Sequence, residues 1–415
     1  MVKIRPATDS PQAERSSVQH YLRPGVLSLP SLPPLSLYVH IPWCMRKCPY
    51  CDFNSHEHRG GLAAIPEAAY LEALRVDLET SLSLIWGRPI VSVFIGGGTP
   101  SVFSAAGIEA LLSDIRALLP LQANCEITLE ANPGTFEAEK FAAFRAAGVN
   151  RLSIGIQSFD ESKLRSLGRV HDRTQALAAA AAGQHLFDNF NLDLMYGLPG
   201  QEVQQLQADV RQALAFDPPH LSLYQLTLEP NTVFGKYPPV LPDEDTTAEM
   251  FGWIETQMRE AGYVHYEVSA YAKAGRTCRH NLNYWMFGDY LGIGAGAHSK
   301  LSFPHRILRQ VRLHQPESYL KNARSASFVA ESKEVARTDL PFEFMLNALR
   351  LNDGVAVSLF AERTGMPISQ IDGALSKAVA RGLLVEDDQR LAPTDLGRRF
   401  LSDLQAFFLP HPSRS

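Results

Sequence analysis

The chain has 415 residues with a formal net charge of −5, and hydrophobic residues make up 45% of it. This length suits one large α/β domain with a smaller second domain, and the apolar content is sufficient for a full buried core. The slightly acidic balance excludes the strong basic excess of a general nucleic-acid-binding protein, so we expect no nucleic-acid partner.

The first 34 residues are rich in proline and serine and end in SLPSLPPL, which predicts a disordered leader and linker at 1–34. Apolar runs typical of buried strands follow at 36–41, 90–95, 125–130, 151–156, 191–197 and 220–228. Helical periodicity appears between and after them, at 68–85, near 105–118, at 136–147, near 202–215 and at 244–262. Six strand–helix units in this order predict an α/β fold whose parallel sheet is open or curled into a partial barrel.

The alternation weakens after residue 228, where a strand-like stretch and the glycine-rich DYLGIGAGAHS complete a first domain that we place at 35–300. The remainder, 301–415, is predicted to be a smaller domain of helices followed by a hairpin near 383–394. This order resembles a winged helix. Winged helices often bind DNA, but the absence of a basic excess favours a docking or lid role here.

The number and spacing of the five cysteines indicate the cellular compartment of the protein and the kind of site that the cysteines form. An odd total with three members inside eight residues is not typical of a disulfide framework, so we expect a reducing, cytoplasmic location and a metal bound by the clustered thiolates. No stretch approaches the roughly 18 apolar residues of a membrane-spanning helix, so no integral membrane segment is predicted.

The clustered cysteines lie directly after the first predicted strand, with the spacing Cys44-x3-Cys48-x2-Cys51. Loops at the carboxyl ends of barrel strands are where active sites lie. Thiolates hold iron–sulfur clusters, and three of them leave one iron of a four-iron cluster free to bind S-adenosylmethionine. The short loop therefore predicts such a cluster.

A zinc site completed by His40, His56 or His58 is the alternative for this loop. Zinc sites usually combine one closely spaced pair of ligands with a second, distant pair. No distant pair is present, because Cys125 and Cys278 are isolated in the sequence.

Two further features accompany the cysteine spacing: Tyr50 precedes the last cysteine, and the loop GGGTP (96–100) follows the second strand. With them, the sequence resembles the radical S-adenosylmethionine (radical SAM) superfamily. The resemblance implies a [4Fe-4S] cluster on the three cysteines, bound S-adenosylmethionine and a partial (β/α)6 barrel. That fold agrees with the six units counted above.

Polar residues at the ends of successive strands are candidates for the cofactor pocket. From about Leu37 to its end, the chain is also similar to the coproporphyrinogen oxidase-like branch of this superfamily. That resemblance implies cofactor contacts at Tyr38, Tyr50, Gly97, Gly98, Thr99, Glu130, Gln157, Arg169 and Asp193. Thr227 and His298 match less closely.

Two features distinguish the oxidases of this branch from the haem carriers. The oxygen-independent coproporphyrinogen oxidases have a fourth cysteine two residues after the third, where this chain has Phe53. The continuation CDFNSH and the segment HNLNYW (280–285) instead resemble the haem chaperones of the HemW type.

The chemistry of HNLNYW suits haem. Histidine is the usual axial ligand of haem iron, so His280 is the candidate ligand. Tyr284 and Trp285 can stack on a flat macrocycle, and Arg279 can pair with a propionate. Cys278 offers a thiolate as a further candidate ligand.

The resemblance thus predicts a haem chaperone that binds haem and delivers it to acceptors such as respiratory haem enzymes, with the cluster and S-adenosylmethionine retained. The alternative is an oxygen-independent coproporphyrinogen III oxidase, which forms protoporphyrinogen IX by radical oxidative decarboxylation. A radical enzyme for an unrelated substrate is a third candidate. A homodimer is compatible with the resemblance, since relatives form both monomers and dimers.

Overall fold

The computed structural model of the chain describes residues 21–58, 60, 64–134 and 137–410. Its centre is a twelve-stranded mixed sheet. The strands, numbered in chain order, are β1 (Leu35–Ile41), β2 (Ile90–Gly97), β3 (Leu121–Ala131), β4 (Arg151–Gln157), β5 (Phe190–Tyr196), β6 (His220–Gln225), β7 (Val264–Glu267), β8 (Ala270–Ala272), β9 (Asp289–Ile293), β10 (His298–Phe303), β11 (Arg306–Arg312) and β12 (Val329–Glu334).

Helices follow most of these strands. In chain order they are α1 (Glu67–Ile85), α2 (Ala105–Leu118), α3 (Glu137–Ala147), α4 (Glu161–Ser166), α5 (Arg173–Leu186), α6 (Val203–Leu214), α7 (Val233–Lys236), α8 (Glu244–Glu260), α9 (Arg279–Trp285), α10 (Pro316–Asn322), α11 (Leu340–Ala348), α12 (Val357–Thr364), α13 (Asp372–Ala380), α14 (Asp395–Arg399) and α15 (Leu401–Ala406).

The strand order is β12-β11-β10-β9-β1-β2-β3-β4-β5-β6-β8-β7. Strands β1 to β6 are parallel neighbours, and β9 adds a further parallel strand beside β1. Each of the six is followed by at least one helix, so the predicted partial (β/α)6 barrel is confirmed. All six strands end at one edge, which brings the loops after them together.

The apolar runs explain why these segments form the inner strands. In β1, six of seven residues are buried, and β4 is buried from Arg151 to Ile156. Strands that are covered on both faces bury side chains in both directions, which matches a parallel sheet between helices and an interior. The helices cover the outer face through residues such as Leu74, Ile108 and Val210.

A buried network of polar side chains links helix α1, near the start of the barrel, to the later strand β11. Asp77 of α1 pairs with Arg312 of β11 at 2.9 Å, and both side chains are 1% exposed. The hydroxyl of Tyr319 donates to Asp77 at 2.8 Å. Nearby, the Tyr70 hydroxyl donates to the carbonyl of His40 at 2.8 Å, which fixes the end of β1 just before the cysteine loop.

The amino-terminal prediction needs correction where the structure describes it. Within 21–34 the chain is packed rather than disordered: the Tyr21 ring lies 4.9 Å from that of Phe303, and Leu29 donates a backbone hydrogen bond to the carbonyl of Pro304. The apolar side chains of this segment reach the core, which the proline-rich composition concealed. Residues 1–20 of the predicted leader lie outside the described residues.

The carboxyl-terminal helices form a second core with their own buried side chains. The predicted domain boundary between 300 and 301 falls inside β10, and β10 to β12 continue the large sheet. Helices α11 to α15 therefore begin only after β12. Val355–Ala356 pairs with Arg390–Leu391 in a short antiparallel ribbon. In the described part of the chain, no helix is long and apolar enough to cross a membrane.

Candidate functional site

The three clustered cysteines lie on the loop that leaves β1. Thr99 donates its hydroxyl toward the Cys44 sulfur at 3.5 Å, and an Arg169 nitrogen lies 3.7 Å from the Cys48 sulfur. The sulfur of Cys51 is 3.7 Å from the Ser55 hydroxyl. Each thiol therefore faces a polar partner, as anionic cluster ligands require.

The distances between these three sulfur atoms distinguish an iron–sulfur cluster site from the alternative, a zinc site. Ligand sulfurs around one tetrahedral zinc ion would be about 3.8 Å apart, given a Zn–S distance of about 2.3 Å. Within the described residues, the three sulfurs do not all come within 4.8 Å of one another. The ring of His40 is also engaged, with Nδ1 2.7 Å from the Tyr38 hydroxyl and Nε2 2.8 Å from the Asn54 carbonyl. The loop fits the wider base of a cluster better than one ion.

The glycine-rich loop after β2 is pressed against the cysteine loop. Backbone amides of Gly98 and Thr99 donate to the carbonyls of Ile41 and Trp43, each at 2.8 Å. A Cβ atom on Gly98 would come within 2.5 Å of the Trp43 carbonyl oxygen, and Gly97 has φ of 123°. Both glycines are therefore needed for this close approach of two backbones.

A cavity of about 380 Å³ opens beside the three cysteines. Of the cofactor residues that the resemblance implied, those lining it are Tyr50, Gly97, Gly98, Thr99, Glu130, Gln157, Arg169 and Asp193, together with Thr227. Gln157 holds φ of 64° at the end of β4, a left-handed conformation that turns the chain at the cavity wall. The site fits S-adenosylmethionine, because carboxylates, amides and a guanidinium surround the space next to the thiols.

Tyr38 lies elsewhere. Its ring faces a second cavity, stacks 6.0 Å from Phe94, and does not line the space beside the cysteines. The contact with S-adenosylmethionine that the resemblance implied for Tyr38 is therefore not supported by its position. His298 also lines this second cavity.

Buried carboxyl groups separate the two cavities. Burial, reinforced by the nearby charge of Asp193, raises the pKa of Glu130 to about 8, although the backbone amide of Gly97 donates to it at 3.2 Å. Burial also raises the pKa of Asp193, which accepts from Ser153 at 2.9 Å and from Asn191 at 2.8 Å. Two buried carboxyl groups with raised pKa values can pair with a cationic ligand that binds at this wall.

The second cavity has a volume of about 1070 Å³ and shares Cys51, Glu130 and Asp193 with the first. Its far end is lined by the HNLNYW segment, which forms helix α9 between the sheet and the carboxyl-terminal helices. The structure thus brings His280, Tyr284 and Trp285 to one cavity that adjoins the cysteine loop.

The three HNLNYW side chains differ in their surroundings. His280 is 6% exposed, and its ring centroid lies 4.0 Å from that of Phe94. Burial lowers the pKa of His280, so the imidazole is neutral, as a metal ligand must be. Tyr284 packs edge-on against Tyr290 at 4.8 Å. The indole nitrogen of Trp285 is buried with no hydrogen-bond partner in the described structure.

Sequence reasoning missed two charged residues inside the barrel. Arg151 is 2% exposed and lines the large cavity, and its Nε has no hydrogen-bond partner within the described residues. Glu126 is also buried and accepts from the backbone amide of Arg279 at 3.0 Å. A charged residue inside an apolar strand was the available signal. Arg279, the predicted propionate partner, instead donates to the Asn124 carbonyl and does not line the cavity.

Comparisons with known proteins agree with this geometry. Residues 38–213 match the radical SAM superfamily and 335–400 match the HemN C-terminal domain. The haem chaperone HemW of Escherichia coli is 48% identical over 380 residues, covering 91% of this chain and 99% of the relative. The chain belongs to the HemW family. Its relative in Haemophilus influenzae, also named haem chaperone HemW, is 46% identical over 387 residues, covering 92% of this chain and 99% of the relative.

A solved structure gives the fold of this HemW-family chain independently. Coproporphyrinogen III oxidase (HemN) of Escherichia coli superposes with a TM-score of 0.78 over 96% of this chain and 93% of the oxidase, at 22% identity. That likeness shows the fold alone. The closer sequence relatives favour the haem-chaperone prediction over the oxidase alternative. Membership of the radical SAM superfamily implies the [4Fe-4S] cluster and S-adenosylmethionine.

Proposed function

We propose that this protein binds haem in its large cavity and passes it to acceptor proteins. The observation that carries the proposal is that one cavity of about 1070 Å³ is lined by His280, Tyr284 and Trp285 and adjoins the cysteine loop. The volume lies just above the ordinary range of ligand pockets, which is roughly 300 to 1,000 Å³, and this suits a macrocycle. The two aromatic side chains offer apolar contact area, and the neutral imidazole offers a ligand to iron.

The positively charged residues that line this cavity support the binding of a ligand with two negative charges. Arg151, Lys300 and Arg309 line its wall. Lys300 is paired with Asp289 at 3.0 Å and Arg309 with Glu343 at 2.7 Å, whereas the Nε of Arg151 lacks a hydrogen-bond partner in the described structure. A buried guanidinium with an unused donor is expected to bind a carboxylate. We therefore assign a haem propionate to Arg151 rather than to Arg279.

The cysteine loop would hold a [4Fe-4S] cluster through Cys44, Cys48 and Cys51, with S-adenosylmethionine in the smaller cavity. When bound, the cluster supplies one-electron chemistry to the sulfonium. Phe53 occupies the place of the oxidases' fourth cysteine; it is 64% exposed and faces both cavities. It offers no thiolate between the cofactor and the haem space, which fits a carrier. Acceptors such as respiratory haem enzymes, a homodimer and a cytoplasmic location remain predictions.

An anaerobic haem titration of the cluster-loaded protein tests the proposal. We expect saturable binding with one haem per site, and a loss of the haem absorbance change in His280→Ala. The matched control is His171→Ala, because His171 is also buried but lines neither cavity.

The same samples should be incubated with coproporphyrinogen III. No protoporphyrinogen is expected. Turnover to that product together with haem binding that does not depend on His280 would contradict the carrier and support the oxidase.

A further inference from the structure

Three ligand-type side chains outside the cysteine loop meet at the inner end of the large cavity. Glu126 comes from β3, while Cys278 and His280 flank the start of α9, and all three are buried. The Cys278 sulfur lies 2.9 Å from Nδ1 of His280 and 3.6 Å from Oε1 of Glu126. Nδ1 of His280 lies 3.5 Å from the same carboxylate oxygen. One carboxylate, one thiol and one imidazole therefore converge on a single point.

These separations are close to those around one tetrahedral cation. Bond lengths of about 2.3 Å to sulfur and about 2.0 to 2.1 Å to nitrogen or oxygen place neighbouring ligand atoms roughly 3.3 to 3.6 Å apart. Two of the three observed separations fall within this range or just at its edge. The sulfur of Cys278 lies 2.9 Å from Nδ1 and 3.5 Å from Nε2 of His280, so it must move about 0.6 Å away from the ring, which a rotation of the thiol can supply.

We propose that Glu126, Cys278 and His280 form a binding site for a thiophilic divalent cation of the zinc class. The set of one sulfur, one nitrogen and one oxygen ligand is typical of zinc and leaves a fourth position. Cys278 and His280 line the large cavity, so that position faces space from which water can enter. Binding releases the proton of the Cys278 thiol to solvent, because the thiolate is the ligand.

The surroundings of the three ligands are compatible with this charge change. The backbone amides of Arg279 and His280 hold Oε1 of Glu126 in place at 3.0 and 3.4 Å. The positive charge of Arg151 lies close to the carboxylate of Glu126. A dication with carboxylate and thiolate ligands is neutral, which keeps the repulsion from Arg151 small.

The site has a consequence that rests on the proposed function. His280 would bind the cation through Nδ1, which faces Cys278 and Glu126, and haem iron through its other ring nitrogen, so the two metals would share one imidazole and repel each other. A zinc-class cation would then weaken haem binding, and haem would weaken binding of the cation. The proposed cation site itself does not depend on haem.

Equilibrium dialysis against Zn2+, followed by elemental analysis, tests the site on the full-length, cluster-loaded protein under anaerobic conditions. Iron content confirms that the cysteine loop remains occupied and does not bind the zinc. We expect about one zinc per chain in the parent protein. Cys278→Ser and Glu126→Gln should each lose it, and the glutamine keeps an oxygen that accepts the two backbone amides.

Cys125→Ser is the matched control. Cys125 is buried beside Glu126 but is not one of the three ligands, so this variant should bind zinc as the parent does. Equal zinc content in the parent, Cys278→Ser and Glu126→Gln would overturn the proposed site.

A haem titration with and without Zn2+ separates the two proposals. Zinc that binds through Cys278 and Glu126 and suppresses haem binding supports both. Zinc that binds through them while haem binding is unchanged supports the cation site and contradicts the predicted competition between the two metals at His280. Haem binding without any stoichiometric zinc contradicts the cation site alone.

Discussion

The guanidinium of Arg169 lies 3.7 Å from the sulfur of Cys48, although the two residues are 121 positions apart in the chain. A second nitrogen of the same group donates to the Gly155 carbonyl at 2.8 Å, and Nε has no hydrogen-bond partner in the described structure. The cation is thus held rigidly beside the thiols with one donor unused. It is well placed to bind the carboxylate of S-adenosylmethionine.

Arg169→Gln should therefore weaken the binding of S-adenosylmethionine to the cluster-loaded protein. A hydrogen bond to a charged group contributes about 1.5 to 3 kcal/mol, which corresponds to a loss of affinity of roughly 10- to 100-fold. Anaerobic equilibrium binding measures the change. Arg165→Gln is the control, because Arg165 is exposed and pairs with Glu161 at the surface. Equal affinities for the two variants would remove Arg169 from the cofactor site.

Single replacements in the cysteine loop should abolish the cluster. With only three thiolates available, Cys44→Ala, Cys48→Ala or Cys51→Ala leaves too few ligands for stable assembly. Iron and sulfide analysis after anaerobic reconstitution is expected to show a near-complete loss in each variant. Cys125→Ala should retain the parent content, since its thiol lies outside the loop. A loop variant with full iron content would mean that another residue is a ligand.

The fold was largely predictable because of how parallel strands are buried. Strands covered on both faces are continuous apolar runs, so all six inner strands were recognised within a few residues of their ends. The cofactor loops could then be placed, since loops after successive parallel strands share one edge. The packing of 21–34 could not be predicted, because its partners, such as Phe303 and Pro304, are distant in the sequence.

The interior of the barrel was less predictable than its edge. An apolar run gives no indication of which side chains face inward, so Tyr38 was expected beside the cysteines and instead lines the large cavity. Glu126 and Arg151 stood out only as charges within apolar strands. Their roles depend on the approach of α9, more than a hundred residues later in the chain. Long-range contacts of this kind leave no local pattern.

The buried pair of Asp77 and Arg312 allows a prediction for stability. Removing one partner leaves the other charge unpaired in the core, and this lowers the stability of a folded protein by about 3 to 5 kcal/mol. Arg312→Ala should lower the free energy of unfolding by that amount in denaturant titrations. Arg75→Ala should change it far less, because the ion pairs of Arg75 lie at the surface. Similar small effects for both variants would show that water reaches Asp77.

The assignment of a propionate to Arg151 predicts a selective effect on haem. Arg151→Met should weaken haem binding by roughly 10- to 100-fold, as expected for a lost charge-assisted hydrogen bond. Haem dimethyl ester, which has no carboxylates, should bind the parent and the variant alike. Arg116→Met is the control, since Arg116 donates to the carbonyl of Ala147 at 3.0 Å and lines neither cavity. An equal loss for haem and its ester would assign Arg151 a structural role only.

The raised pKa of Glu130 predicts how stability depends on pH. Its carboxyl group has a pKa of about 8 in the folded protein, against an ordinary value of 4.5. Between these values the folded protein keeps a proton that the unfolded chain has lost. Proton binding therefore favours the folded state there, and stability falls as pH rises through this window.

Comparison with Glu130→Gln isolates this contribution, because the amide does not titrate. The free energy of unfolding of the ligand-free parent should decline with pH relative to that of the variant, between about pH 4.5 and about pH 8. Glu109→Gln, at an exposed position on α2, should follow the parent. If Glu130 binds the ammonium of S-adenosylmethionine, the ligand stabilises the ionised carboxylate and should flatten the decline. A decline that is the same with and without the ligand would place the ammonium elsewhere.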